Sequence, residues 1–198
     1  GKIGILATEG FSDILEIGRQ MRQELYEAVL KPQPPLFLAP ARRRKEVKER
    51  IASDGSILQP ILEETVLNGV KELVADGVDA IAICFLFSFL NPQHEIKAHS
   101  IIKSNFPNLK VSLSSKVDPT FREYERTVVT AFDAYLKPIV DNYLSSLDLE
   151  LKGSGLLNEP KIMQSRGGMS AISIAQERPV RLFLSGPAAG VVGAASVG

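Results

Sequence analysis

Chemistry built on cysteine, histidine or tryptophan has little to work with in this chain. Its 198 residues include one cysteine, two histidines and no tryptophan. A lone thiol makes no internal disulfide, and Cys84, inside the apolar run AIAICFLFSFL, reads as an inert residue on a buried strand that suits a reducing cytoplasm. The histidines stand in HEIKAH, close to a zinc-binding HExxH helix, yet His94 and His99 are five positions apart. On a helix they would point ~140° apart, so they cannot share one ion there. They are expected on the surface, and no metal site is expected. Nucleophile–histidine pairs lack partners for the same reason.

Charge of one sign is lacking too. Lys+Arg total 23 and Asp+Glu total 23, which leaves no general pull toward nucleic acid or an anionic membrane. The densest basic run, ARRRKEVKER, is diluted by Glu46 and Glu49 and carries no aromatic residue, so it reads as a solvated edge. No apolar run approaches the ~20 residues that a membrane-crossing helix requires. Neither common phosphate fingerprint, GxxxxGK[ST] or GxGxxG after a strand, is present. The chain opens on Gly1 and shows no export signal, which suggests a piece of a larger polypeptide.

What is present alternates between strand and helix patterns, and this predicts an α/β fold. KIGILAT reads as a strand, and Ile14, Ile17, Met21 and Leu25 fall at helical spacing before the proline-rich KPQPPLFLAPARR. Two alternating arms around Asp54-Gly55 predict a β-hairpin over about 45–60. Val66, Val70, Leu73 and Val74 form one helical face ended by Gly77. DAIAICFLFSFL, apolar throughout, reads as a parallel strand covered on both faces, followed by a helix capped by Asn91 and Pro92 and by the strand NLKVSLSS. Together these make a βαβ unit over about 78–114, within a first region at 1–116. The second region, 117–198, opens on a long helix capped by Asp118 with Pro119 in its first turn, which Pro138 is expected to kink or split. KIMQS and VRLFL read as strands, and SAISIAQ and GPAAGVVGAASVG as helices.

Three constellations carry possible chemistry. FREYERT places Arg122 and Glu125, and likewise Glu123 and Arg126, three apart, so they can pair on a solvated helix face. The other role open to them is that an arginine fork leaves its pair and holds a substrate carboxylate or phosphate. SRGGMS follows KIMQS, where α/β sheets bind ligands beyond their strand ends. There Arg166, Gly167 and Gly168 would either bring amides close to a ligand or make a tight turn. In SGPAAGVVGA, Ser185 reads as a helix cap, and Gly186, Gly190 and Gly193 would let the helix lie close to its sheet.

GFSDILEIGRQ, NPQHE, FREYERT, AYLKP, IMQSRGGMSA and VRLFLSGPAAGVVGA, in that order, resemble the large subunit of the hydantoinase/5-oxoprolinase family, and acetone carboxylase subunits are similar. The resemblance runs from about Ile3 to Ala194. It implies a partial actin-like, ribonuclease-H-like ATPase lobe in an ATP-dependent, Mg²⁺-using enzyme that phosphorylates a cyclic amide carbonyl so that the ring opens. It also implies a second subunit or domain as partner. The family's two Asp-Gly-Gly-Thr phosphate loops flank the matched region and are missing from this chain, so the segment alone is expected to be inactive. Arg166 stands where the family commonly has Asn, and GGMSA is one residue short of its usual form. Substrate-wall candidates are therefore Arg122, Glu123, Glu125, Arg126, Arg166, Gly167 and Gly168, with Ser185 and Gly186 as nucleotide-cleft candidates. No catalytic group is assigned. An acetone-carboxylase-like subunit or a non-catalytic assembly module are the alternatives.

Overall fold

A computed structural model describes residues 2–19, 38–156, 158 and 160–197. The chain divides into two compact units, Gly1–Tyr135 and Leu136–Gly198. Met21 and Leu25, and most of the proline-rich stretch, lie outside the described residues.

The first unit is built on a four-stranded parallel sheet in the order β2-β1-β5-β6: β1 Ile3–Thr8, β2 Arg44–Val47, β5 Ala80–Cys84 and β6 Lys110–Leu113. Alternation along β5 explains how both faces are covered. Ile81 and Ile83, with Leu6 of β1, point into a core with Val66, Val70 and Leu73 of α2 (Glu63–Ala75) and Ala98 and Ile102 of α3 (Gln93–Asn105). Ala80, Ala82 and Cys84 point the other way, against Leu15 of the short α1 (Ile14–Ile17) and Ala131 and Ala134 of α5 (Glu123–Gly153). Large residues toward one layer and small ones toward the other let α5 lie close. Burying each large aliphatic side chain is worth ~1.5–3 kcal/mol.

The expected hairpin is present but shorter: β3 Arg50–Ile51 pairs antiparallel with β4 Ile57–Gln59 around Gly55, at φ 85°. Its anticipated first arm belongs to β2, because Arg44–Val47 finds a longer partner in β1. Gly77 (φ 74°) ends α2 as expected, whereas Val74 is exposed rather than part of the buried face. Asn91 caps α3 through its side chain, accepting the Gln93 amide at 3.1 Å. Asp118 and Pro119 do not open the long helix. They follow a short helix, α4 (Ser114–Val117), and α5 begins only at Glu123. Pro138 lies within α5 without splitting it.

The second unit packs α5 residues Val140, Leu144 and Leu147 against Ile162, Ile172, Ala175 and Leu182. A two-stranded antiparallel sheet joins β7 (Lys161–Met163) to β8 (Met169–Ala171), followed by α6 (Ile172–Glu177) and α7 (Ser185–Val197). VRLFL is not a strand. Pro179 opens a 3₁₀ turn, Pro179–Leu182, because among the described residues the run has no strand beside it to pair with; Leu182 enters the core while Phe183 and Leu184 remain exposed. Nor do the glycines of α7 seat it on a sheet, since a Cβ added at Gly186, Gly190 or Gly193 meets nothing within 4 Å. Close helix-on-sheet contact is made instead at Gly4 of β1, where a Cβ would stand 2.7 Å from Leu73 Cδ1.

Candidate functional site

The chain leaves β1 toward β2 on one side and later adds β5 on the other. The strand order therefore reverses between β1 and β5, and the crevice beyond their carboxyl ends is where open α/β sheets take ligands. A cleft lies at that point. Ile5, Ala7, Cys84 and Leu86 line its sheet side, Phe11, Ser12, Ile14 and Leu15 close it after β1, and Glu123, Arg126 and Thr127 project from the first turns of α5, with Arg44 beside them.

The loop after β5 is held in an unusual shape. Phe87 has φ 52°, a left-handed conformation that a bulky side chain resists, and it persists only where the surroundings dictate it. Those surroundings are a buried polar network. Thr8 accepts the Leu86 amide at 3.0 Å and donates its own hydroxyl to Glu49, whose other oxygen lies 2.6 Å from His94 Nδ1. Glu95 accepts the Phe85 amide at 3.1 Å, the Ser114 hydroxyl at 2.6 Å and the Ser115 amide at 2.8 Å. Burial pushes the Glu95 carboxyl above its ordinary range, opposed by the bonds from Ser114 and Ser115. Burial likewise pushes the Cys84 thiol up to about 12, so this cysteine is no nucleophile at neutral pH.

This network was not read from the sequence, and His94 corrects the expectation of two surface histidines: it is 4% exposed. A signal was available. Asn91-Pro92 starts α3 at the carboxyl end of β5, and the first turn after such a start faces the sheet edge. His99 is only partly buried, and burial, with Lys103 and Lys116 nearby, lowers its pKa.

The sequence-proposed residues separate by position. Arg122 is exposed, lies over the Phe121 ring and stands 3.9 Å from Glu125. Glu125 also pairs with Arg19 at 2.8 Å, so these two are an outer ion-pair face. Its carboxyl sits below the ordinary range through its own backbone amide first, then Arg19. Glu123 and Arg126 both line the crevice, but Arg126 turns to backbone: it donates to Thr120 O at 2.6 Å and Phe85 O at 3.2 Å.

In the second unit, Arg166, Gly167 and Gly168 form the turn of the β7–β8 hairpin, at the tip of a two-stranded antiparallel sheet and not at a parallel sheet's ligand edge. The turn is used structurally: the Gly167 amide donates to Gln164 O at 3.1 Å, and Gln164 N to Gly168 O at 3.0 Å. Positive φ at both glycines fits that role. Ser185 begins α7 directly after Leu184, which has φ 63°, and Gly186 is exposed. Among the described residues no three His, Cys, Asp or Glu side chains gather as metal ligands, and no helix is long and apolar enough to cross a membrane. Among the described residues no cluster of carboxylates is placed to take a magnesium nucleotide.

Comparison with known proteins agrees with this architecture. An uncharacterized protein of Methanocaldococcus jannaschii is 43% identical over 98% of this chain and 28% of its own length. The caprolactamase alpha subunit of Pseudomonas jessenii is 33% identical over 94% of this chain and 27% of its own. The crystal structure of ATP-dependent caprolactamase from that organism superposes with a TM-score of 0.83 at 32% identity, over 94% of this chain and 27% of that one. Nucleotide-free acetone carboxylase gives the same TM-score at 26% identity, over 100% of this chain and 29% of that one. The chain thus spans little more than a quarter of the length of these relatives. Residues 1–106 match the hydantoinase/oxoprolinase N-terminal region and residues 126–198 match hydantoinase/oxoprolinase itself, so the chain belongs to the hydantoinase/oxoprolinase family.

Proposed function

We propose that this chain is part of an ATP-dependent enzyme that opens cyclic amides, and that its crevice beyond β1 and β5 forms a wall of the substrate site. The observation that carries the reading is the position of that crevice: it sits at the reversal of strand order and is lined by Glu123 and Arg126 from FREYERT, one of the stretches on which the family resemblance rests. When bound, ATP with Mg²⁺ would supply phosphorylation of the ring carbonyl. The described residues of this chain gather no ligand set for that group, so no step is assigned to them through it. Their work is to position and desolvate: apolar side chains from β1 and α1 exclude water, and the strained loop at Phe87 fixes the crevice mouth.

The lobe is of the actin-like ATPase type in this reading, completed by residues outside this chain and by a second subunit, and it is inactive alone. Support for an assembly comes from the relative named as an alpha subunit. A carboxylase reading stands beside it, because acetone carboxylase superposes as well as caprolactamase does. The test is nucleotide hydrolysis by the complete enzyme that carries this chain. Stimulation by lactams and not by bicarbonate with a ketone supports the cyclic-amide reading. The reverse favours the carboxylase, and no nucleotide turnover with either sinks both and leaves an assembly module.

A further inference from the structure

The loop that walls the crevice leaves β5 with two anchors. One is direct: the Phe85 amide donates to Glu95 at 3.1 Å. The other is relayed. The Leu86 amide donates to the Thr8 hydroxyl oxygen at 3.0 Å, Thr8 donates to Glu49 Oε1, and Glu49 Oε2 lies 2.6 Å from His94 Nδ1. All three side chains are buried, and they come from the end of β1, the β2–β3 connection and the first turn of α3. Leu86 lines the crevice, and the next residue, Phe87, holds φ 52°.

The relay has a direction. A hydroxyl that accepts an amide has a single proton left to give, so Thr8 is the donor and Glu49 the acceptor. A buried carboxylate–imidazole pair adds little net stability over apolar side chains of the same size, because both groups give up their water. What it adds is orientation: with both carboxylate oxygens taken, the Thr8 hydroxyl is held toward Glu49 and its lone pair toward Leu86.

We infer that Glu49 is a positioning residue for the crevice: as a carboxylate fixed by the His94 Nδ1–H, it orients the Thr8 hydroxyl to take the Leu86 amide and so sets Leu86 in the crevice wall. Glu49 acts through Thr8 and touches no ligand. The left-handed Phe87 persists because the amide just before it is pinned. The proposal rests on the substrate-wall reading for what the crevice does, while the relay itself does not.

The test compares four variants of this chain. Thr8→Val and His94→Leu each remove one donor. Thr8→Ser and His94→Asn each keep it, since the asparagine amide nitrogen stands where Nδ1 does. Amide hydrogen exchange is read as the ratio of Leu86 to Ile83, so that general loosening of β5 cancels. That ratio should rise at least tenfold in the first pair and stay within threefold of the parent chain in the second. Nitrogen NMR should find the His94 ring protonated at Nδ1. In the complete enzyme, Thr8→Val should raise KM for the organic substrate at least fivefold and leave KM for nucleotide unchanged, a split that mere loss of folded enzyme does not produce. An unchanged exchange ratio in Thr8→Val and His94→Leu, a His94 bare at Nδ1, or His94→Asn no better than His94→Leu overturns the relay. A fall in kcat alone makes the three residues fold support only and overturns the positioning role. If neither lactam nor bicarbonate with a ketone drives nucleotide turnover, the substrate-wall reading fails, and the exchange ratio and the His94 ring still decide the relay.

Discussion

The two units of this chain have similar proportions of apolar residues and use them to different effect. In the first, a parallel sheet is covered on both faces, and many of its large aliphatic side chains, Leu6, Leu73, Ile81 and Ile83 among them, are fully shielded. It can therefore hold buried charge and a strained loop at its edge. In the second, a few side chains around Leu144 and Ile172 form the core, while Tyr143, Leu149, Phe183, Leu184 and Val191 remain half or more exposed. A covered sheet can orient polar groups because water is excluded and their hydrogen bonds are strong; a two-stranded hairpin cannot. This is why the buried polar network and the crevice beside it lie in the first unit, while the glycine turn of the second is held by its own backbone bonds.

The comparison breaks most sharply at Glu95. Glu95→Ala leaves the Phe85 amide and the Ser114 and Ser115 donors buried without an acceptor, which should cost roughly 3–5 kcal/mol and release the Phe87 loop, read as a lowered Tm and faster amide exchange at residues 85–89. Glu95 also sets a pH dependence. Its folded pKa is raised, so its contribution to stability is full below the unfolded carboxyl value of 4.5 and is lost as pH rises through the folded value. Denaturant midpoints for Glu95→Gln should lack that alkaline-side fall.

Next in size come matched core truncations. Leu6→Ala, within the covered sheet, should cost about 3–5 kcal/mol, and Leu144→Ala, in the smaller core, about 2–3 kcal/mol, measured by urea unfolding. Equal losses would mean that the small core is as tightly packed as the large one. Glycines sharpen the contrast further. Gly4→Ala forces a methyl against Leu73 and should cost about 1–3 kcal/mol, whereas Gly190→Ala, with open space around it in α7, should stabilise by ~0.5–1 kcal/mol. The smallest effect lies at the β3–β4 turn. The Ser56 hydroxyl and amide hold the Asp54 carboxyl below 3.8, so the stability it adds is present above that value and fades as pH falls through its folded pKa. Asp54→Ala should slightly lower the Tm at neutral pH and leave stability below the folded Asp54 pKa almost unchanged.

Local pattern went far with the fold. The apolar run DAIAIC, the Asp54-Gly55 pair, Gly77 and Asn91-Pro92 all act through their own backbone or their immediate neighbours, and each appears in place. VRLFL shows where that reasoning ends, because an apolar run becomes a strand only if another strand lies alongside. The site was half legible. FREYERT stood out as a charged helix start, open to an ion-pair face or to ligand binding, but its spacing did not show that Arg122 and Glu125 form an outer ion-pair face while Glu123 and Arg126 line a crevice.

By itself, the sequence settled an α/β chain with β5 buried on both faces, an inert Cys84 and a family resemblance, because periodicity and turn preference are properties of adjacent residues. Tertiary structure alone decided that His94 is buried against Glu49, that Thr8 holds the Leu86 amide, and that Arg126, among the described residues, keeps one N–H without an acceptor. Desolvation and hydrogen-bond partnership depend on groups far apart in the chain, 78 positions for Thr8 and Leu86, which only folding brings together.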